Sequence, residues 1–550
     1  MKSKLRPAEI LILLPVIYFI VTFILYPLFS LLANSFISDS TSGFSLKVFG
    51  DLFSPNVLKA SLNSILLSLI TVAGGLIVGT SLSLFFYFYK IKNKKLLETL
   101  FLIPLALPPI VGVVSFLYLT GENGLIGRLL GLLFKTGNIN TGFEGWTAII
   151  TVHIYSFYPM FLLFTKAGLS KFDHSLIDAS LSLGETRLKT IFKIILPVMI
   201  TELAGASIVV FMASMASFSA PFIYGGSLRF LTTEIYFTKI NGDASLSSAL
   251  AVLLTIISVI FLFLLRKLRI SNEFSLRMKG TIKTITTFTK PGIILKLVLG
   301  FLVLIVVSPV LTLVYLSLIP EGSLVRNIFA DSLTFVNYQK IFTDISSYNS
   351  ILNSFNTTII AVGIVLLLGI TSAYFITKRK NKLSGILESI VSLPYGIPGT
   401  VIAIGLIIGF SKPGPLTFGE ALTGSFLILP IAYAVRNMPV MLQFVSSGFQ
   451  NIDPSLEEAS LTLGASQKRT LFKITLPLVF PAILYGSLLV FINSFGEFVS
   501  TILLYTFSTK TISVEIYSML RLYNTGGSSA FGVLLFLIVF LTLYLTRREQ

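Results

Sequence analysis

One polar passage occurs twice in this chain, 280 residues apart. Residues 175–197 read SLIDASLSLGETRLKTIFKIILP, and residues 455–477 read SLEEASLTLGASQKRTLFKITLP, identical at 13 of 23 positions without a gap. The shared residues include two Ser, a Thr, a Lys, a Gly and a Pro held at fixed spacing, so an abundance of Leu and Ile alone does not account for the match. Such a repeat marks a chain built from two copies of one module, each using the passage for the same task.

The repeats sit in apolar surroundings. The 550 residues are 54% hydrophobic and 12% charged, where a soluble domain carries about 25% charged residues. A membrane-crossing helix needs about 20 apolar residues, and twelve runs qualify: 9–33, 61–89, 100–120, 146–165, 195–224, 247–265, 297–319, 351–377, 386–410, 422–440, 477–506 and 529–546. The expected fold is an all-α polytopic membrane protein, about twelve transmembrane helices as two parallel six-helix repeats. The long runs 195–224 and 477–506 are expected to be tilted, broken or partly interfacial. Trp146, the one tryptophan, opens a run, where an interfacial ring belongs.

Basic residues set the orientation. Thirty of the 41 lie in alternate loops: Lys2, Lys4 and Arg6; Lys90, Lys92, Lys94 and Lys95; 166–193; 266–296 with Arg266, Lys267, Arg269 and Arg277; Lys378, Arg379, Lys380 and Lys382; 436–473; Arg547 and Arg548. The acidic residues show no comparable bias. The positive-inside rule places those loops, both termini and both copies of the polar passage in the cytoplasm. The net charge of +17 is therefore a topology signal beside a lipid bilayer, and no nucleic-acid partner is expected. The run from Glu9 to Ala33 exceeds the 7–15 residues of a signal-peptide core and lacks an A-x-A site, so it reads as the first span.

The repeat extends beyond the passage. Pro104 and Pro108 match Pro394 and Pro398 at an offset of 290; Asn63-Ser64 matches Asn353-Ser354, and Gly79 matches Gly369, at the same offset. Glu234-Ile235-Tyr236 reappears as Glu515-Ile516-Tyr517. The expected modules are 1–268 and 293–550, joined by a basic linker at 269–292. An even number of spans returns each module to the same side, so the repeats are parallel, related by an axis along the membrane normal.

Within the passage, Asp453 then Pro454 reads as a helix start, a side-chain cap followed by proline at the first position. Ser455 with Glu458 also fits a capping box. Leu456, Ala459, Ser460 and Leu463 share a face, and Gly464 stands where a helix ends. A second helix, 465–474, would carry Lys468, Arg469 and Lys473 up to Pro477. The first copy repeats the plan with Asp173 or Ser175 at the start, then Leu176, Ala179, Ser180, Leu183, Gly184, Lys189, Lys193 and Pro197. So short a helix is marginal alone. One copy would pass for an interfacial helix lying on lipid; two matched copies favour a helix that docks in a partner's groove.

These residues resemble the signature of ABC-importer permeases, E-A-A-x(3)-G-x(9)-I-x-L-P. The second half shows Glu458-Ala459-Ser460, Gly464, Ile474 and Leu476-Pro477; the first shows Asp178-Ala179-Ser180, Gly184, Ile194 and Leu196-Pro197. Serine replaces the second alanine in both, and aspartate replaces glutamate in the first. The resemblance covers nearly the whole chain and implies that 175–184 and 455–464 are coupling helices. Each would engage one of two copies of a cytoplasmic ABC ATPase subunit. It also implies an extracytoplasmic solute-binding protein, a prokaryotic plasma (inner) membrane location, and alternating access driven by the ATPase.

No G-x(4)-G-K-[ST] phosphate loop occurs, so the chain is expected to be a transport subunit and not an enzyme, with no cofactor of its own; ATP and Mg would be used by the partner subunits. With no cysteine and only His153 and His174, thiolate and histidine-rich metal sites are excluded. Both histidines suit structural roles better than ligand roles.

Fused permease modules, and LPYGIPGTVIAIGLI in particular, resemble ferric-iron permeases most closely; thiamine, phosphonate, polyamine and oxyanion importers are the alternatives. A twelve-span secondary transporter of the major-facilitator type is the other class, although the loop at 90–95, KIKNKK, lacks that family's Asp-Arg pattern. Candidate pathway residues are Pro104, Pro108, Pro394, Tyr395 and Pro398, where proline frees carbonyls, and Glu497, a carboxylate within a span. A simple kink is the plainer account of the prolines, and a solvated or hydrogen-bonded carboxylate is the competing account of Glu497.

Overall fold

The structure, a computed structural model, describes residues 7–37, 44, 46–136, 138–170, 172–173, 175–271, 290–321, 323, 332–379 and 382–548. Lys2, Lys4, Arg6, His174, Arg277 and Lys380, and most of the 269–292 linker, lie outside them. Among the described residues the regular structure is helical, with no β-strand. Ten helices among the described residues are long and apolar enough to span a membrane, or twelve if each of two sharply bent pairs counts as one span.

The helices needed below are α1 (Leu11–Asn34), α2 (Pro55–Phe88), α3 (Pro109–Thr120), α4 (Gly145–Leu169), α5 (Ser175–Ser182), α6 (Ile200–Met215), α7 (Ala244–Ser271), α8 (Ile293–Ser317), α9 (Ile345–Lys378), α10 (Gly399–Phe410), α11 (Ile428–Gln450), α12 (Pro454–Thr462), α13 (Leu476–Phe495) and α14 (Thr525–Arg548). Three expected runs need correction. The run 386–410 is folded back on itself, with 108° between Lys382–Gly396 and α10, because Pro394 and Pro398 remove donors on both sides of Gly396. The run 195–224 bends by 71° before α6, which ends at Met215. The run 422–440 is shifted: the helix is α11, so Arg436 lies inside a span and not in a basic loop.

Packing divides the chain differently from the repeat. One compact unit holds residues 1–53, 234–255 and 334–550; the other holds 54–233 and 256–333. The first span of each module has thus joined the other module's helices. In the first unit, α1 lies on α10, where Gly405 and Gly409 leave room for Pro27 and Tyr26, and the Tyr26 and Phe410 rings are 5.5 Å apart. In the second unit, Tyr155 of α4 donates to Val306 O of α8 at 2.9 Å, one turn before Pro309. A carbonyl beside a proline inside a span is thereby satisfied.

The matched residues do matched work. Asn63 donates to Arg229 O (2.9 Å), and the Ser64 hydroxyl accepts from Leu231 N (2.9 Å). Asn353 donates to Ser508 O (2.9 Å), and the Ser354 hydroxyl accepts from Ile512 N (2.8 Å). Gly79 sits against the Tyr158 backbone, and a Cβ on Gly369 would come within 2.6 Å of Met441. Small residues at these crossings let spans approach closely.

Candidate functional site: paired loops and a buried ion pair

The two polar passages fold alike. Asp173 accepts from Ser175 N at 3.0 Å and Asp453 from Ser455 N at 2.9 Å. Asp453 is the cap of α12, so Ser455 falls inside the helix and serves the Asp453 carboxylate; it does not head a capping box with Glu458. The backbone and side-chain hydrogen bonds from Ser455 hold the Asp453 carboxyl below its ordinary range. At the other end, Gly184 (φ +83°) and Gly464 (φ +86°) are left-handed. Glu185 N reaches Ser180 O and Ala465 N reaches Ser460 O, the wide closing bond of a Schellman motif.

Each loop continues through a short helix, Arg187–Thr190 or Gln467–Thr470, capped by Thr186 or Ser466. A π-turn follows in both, Ile191–Ile195 and Leu471–Thr475. Pro477 lies within continuing helix just past its π-turn, while Pro197 lies in the short Leu196–Val198 helix that precedes the 71° bend. The widened turn shifts the hydrogen-bond register where proline would otherwise crowd a carbonyl.

Ser180 and Ser460 differ from expectation. Both are buried and turn inward, each hydroxyl 2.9 Å from that of Thr190 or Thr470. The outward face carries Asp178, Ala179, Leu181 and Leu183, or Glu458, Ala459, Leu461 and Leu463, with Leu183 85% and Leu463 88% exposed. Beside the first loop, Glu185 binds Lys193 at 2.8 Å, which holds its carboxyl below the usual range.

The proline candidates divide by exposure. Pro104, Pro108, Pro394 and Pro398 are buried, while Tyr395 is half exposed. Tyr158 donates to Phe101 O at 2.7 Å beside the Pro104 break.

Glu497 is buried and paired. Its carboxylate binds the Arg436 guanidinium and accepts from Ser500 N (3.0 Å), Thr501 N (3.0 Å) and the Thr501 hydroxyl (2.9 Å). Tyr433 meets the same Thr501 hydroxyl at 2.7 Å. Of the two accounts of Glu497 offered above, these bonds describe a hydrogen-bonded carboxylate; whether it also serves transport is a separate matter. The sequence signal for Arg436 was a basic residue within 23 residues of helix-forming sequence, which loop counting absorbed. His153 occupies the place of Tyr433 at the 280 offset, with Nδ1 3.2 Å from the Thr71 hydroxyl and 3.1 Å from that of Ser214.

An all-helical, multi-pass membrane protein with two matched, capped loops leading into spans belongs to the permease subunits of ABC importers. More specifically, the chain is a member of the binding-protein-dependent transport system inner membrane component family, whose pattern matches twice, at residues 75–269 and 365–548. This sets aside the secondary-transporter reading. The chain is 25% identical to a probable ABC transporter permease protein, y4fN, of Sinorhizobium fredii, over 84% of this chain and 82% of that protein. It is 26% identical to the ferric transport system permease protein FbpB of Actinobacillus pleuropneumoniae, over 96% of this chain and 76% of the relative. The molybdenum transport system permease protein ModB of Escherichia coli K12 is 31% identical over 34% of this chain and 85% of its own length.

Proposed function

We propose that this chain forms the translocation path of a ferric-iron importer and that its two polar loops dock into two copies of one cytoplasmic ATPase. The observation that carries the docking is the distribution of differences between the loops. Outward positions keep their chemistry: Asp178 and Glu458, Ala179 and Ala459, Leu181 and Leu461, Leu183 and Leu463. Within the tips 175–184 and 455–464 the one large change, Ile177 to Glu457, points inward, as does Ile195 to Thr475 behind them; beyond the glycine exposed residues do differ, as in Leu188 to Lys468. Two like surfaces suit two like partners. An acidic residue beside an exposed leucine at a glycine-terminated tip suits a groove with an apolar floor and a basic rim.

In this reading the ATPase subunits use ATP and Mg, the termini face the cytoplasm with the loops, and an extracytoplasmic binding protein delivers the cargo. Closure of the ATPase pair would draw the loops together and open the path outward; hydrolysis would reset it. Pro104, Pro108, Pro394, Tyr395, Pro398 and Glu497 are assigned to the path or its support. Iron is favoured by the likeness, over 96% of this chain, to a ferric transport system permease protein. An oxyanion is the second reading, favoured by the higher identity to the molybdenum permease over one module.

The chain has no cysteine, which allows a direct test. Leu183→Cys and Leu463→Cys chains, expressed in the native host and treated with a short bifunctional thiol-to-amine reagent, should each cross-link to the same ATPase polypeptide. Cross-linking to no ATPase, or to it from one loop only, overturns the docking. Uptake of radiolabelled iron and of molybdate by the host, with and without the chain, decides between the cargoes.

A further inference from the structure

α11 is the most enclosed of the ten candidate spans: 78% of its apolar window is buried, against 22–61% for the others. From Ile428 to Gln443 only Arg436, Val440 and Gln443 reach the surface, and Ser447 continues the line. The spacing of four, three and four residues puts these on one helix face. An arginine and a glutamine on a lipid-facing stripe would be costly. The matched positions on α4 are Ser156, Met160, Leu163 and Ala167, with the same sequence of exposure and nearly apolar chemistry. The two modules share the exposed stripe and differ in its chemistry.

Arg436 stands at one end of this stripe, partly exposed and held by its counter-ion. Its side chain is 31% exposed, and that of its counter-ion, Glu497, 4%. Glu497 stands behind it, its oxygens also engaged by the Ser500 and Thr501 donors. The guanidinium lies on Gly399, where a Cβ would come within 2.9 Å of Cζ and Nη1. Gly399 is the first residue of α10, so the positive end of that helix dipole adds to the guanidinium field. A guanidinium has five N–H donors, more than one carboxylate contact employs.

We propose that the α11 stripe is a water-accessible part of the transport path and that Arg436 makes it selective for oxygen-bearing anions, either a free oxyanion or a metal ion carried as its anionic chelate. Glu497 is the positioning residue for Arg436. This rests on the permease reading above and narrows its cargo: a bare ferric cation would be repelled at this point, and its carboxylate complex would be accepted.

The test uses the full chain in inside-out vesicles, with single Val440→Cys, Gln443→Cys and, as an exposed reference away from the docking loops, Lys92→Cys variants. Each is labelled with an anionic sulfonatoethyl and a cationic trimethylammonioethyl methanethiosulfonate. Residue 443 is about 10 Å along the helix from Arg436, so the guanidinium, partly offset by its counter-ion Glu497, should favour the anionic reagent over the reference ratio by up to about fourfold. Arg436→Gln, which leaves Glu497 without its counter-ion, should abolish or reverse the preference and Arg436→Lys retain it, with labelling at 92 unchanged. No labelling at 440 and 443 overturns the wet stripe; labelling without charge preference overturns the anion selectivity. Excess sodium molybdate or ferric citrate separates the two sources, since the one accepted slows labelling at 443; slowing by neither overturns the assignment to cargo. ATPase cross-linking at 183 and 463 is independent of this chemistry, so each reading fails separately.

Discussion

Glu457 accepts a hydrogen bond from the Thr475 hydroxyl at 2.8 Å, at the place where the first module packs Ile177 beside Ile195. The exchange has a third member. Lys378 binds Glu457 at 2.6 Å, and its counterpart at the 290 offset, Phe88, packs on the cluster of Leu84, Leu169, Phe172, Ile177, Ile195 and Met199. One loop is anchored to its unit by apolar contact and the other by an ionic and hydrogen-bonded triad. The outward faces are free to remain alike because each anchor changed as a set. Glu457→Ile alone should therefore destabilise the second loop, since it strips the partner from Lys378 and Thr475, at about 1–2 kcal/mol. The triple change Lys378→Phe, Glu457→Ile, Thr475→Ile should recover most of that. Thermal unfolding of the purified chain and its three-way mutant cycle measure the coupling.

The left-handed glycines give a second expectation. No atom lies within 4 Å of a Cβ added at Gly184 or Gly464, so a substitution there is opposed by the backbone alone. Gly464→Ala should cost about 1–2 kcal/mol, and Gly464→Asn less, since asparagine tolerates this region. Gly464→Pro should disrupt the loop and, with Glu458→Lys, uncouple ATP hydrolysis from uptake while the protein remains in the membrane. The measurements are vesicle ATPase rate and uptake side by side, together with the matching Gly184 and Asp178 variants.

Acid should loosen the loops at their carboxylates. Glu185 is held below its ordinary range chiefly by the hydrogen bond from Lys193, and Asp453 by those from Ser455. A depressed carboxylate contributes stability above its unfolded value, about 4 for either residue, and loses that contribution as pH falls through the folded value. Protection factors for amide exchange, corrected for the intrinsic pH dependence, at 184–186 and at 453, 455 and 456 should therefore hold down to about pH 4 and fall below it. Lys193→Gln should move the onset upward at Glu185 and leave Asp453 unchanged.

The sequence was most legible where polar residues recur. The passages, the Asn-Ser pairs and the glycines at helix crossings each need a particular partner, so their spacing carried the two-module plan and the site. The exchange of α1 and α8 between units was not legible, because an apolar face records that it is buried and not against what. The π-turns before Pro197 and Pro477 were missed for a related reason: proline signals a lost donor and cannot say whether the helix ends or widens. Arg436 was hidden by its own charge, which a loop count assigns to the cytoplasm; only its pairing with Glu497 places it inside a span.

That pair sets the last expectation. Glu497 keeps its Ser500 and Thr501 donors when Arg436 is replaced, but it then remains as a buried net charge. Breaking one side of a buried ion pair costs about 3–5 kcal/mol, whereas replacing both sides with apolar residues of similar size is often neutral. Arg436→Met should thus lower the unfolding temperature markedly, and Arg436→Met with Glu497→Met should restore much of it, less the cost of the lost cap on the Ser500 and Thr501 amides. Transport should not follow stability. If Arg436 contacts cargo and Glu497 only holds it, the double variant should be stable and inactive. A double variant that regained both stability and uptake would reduce the pair to a structural staple.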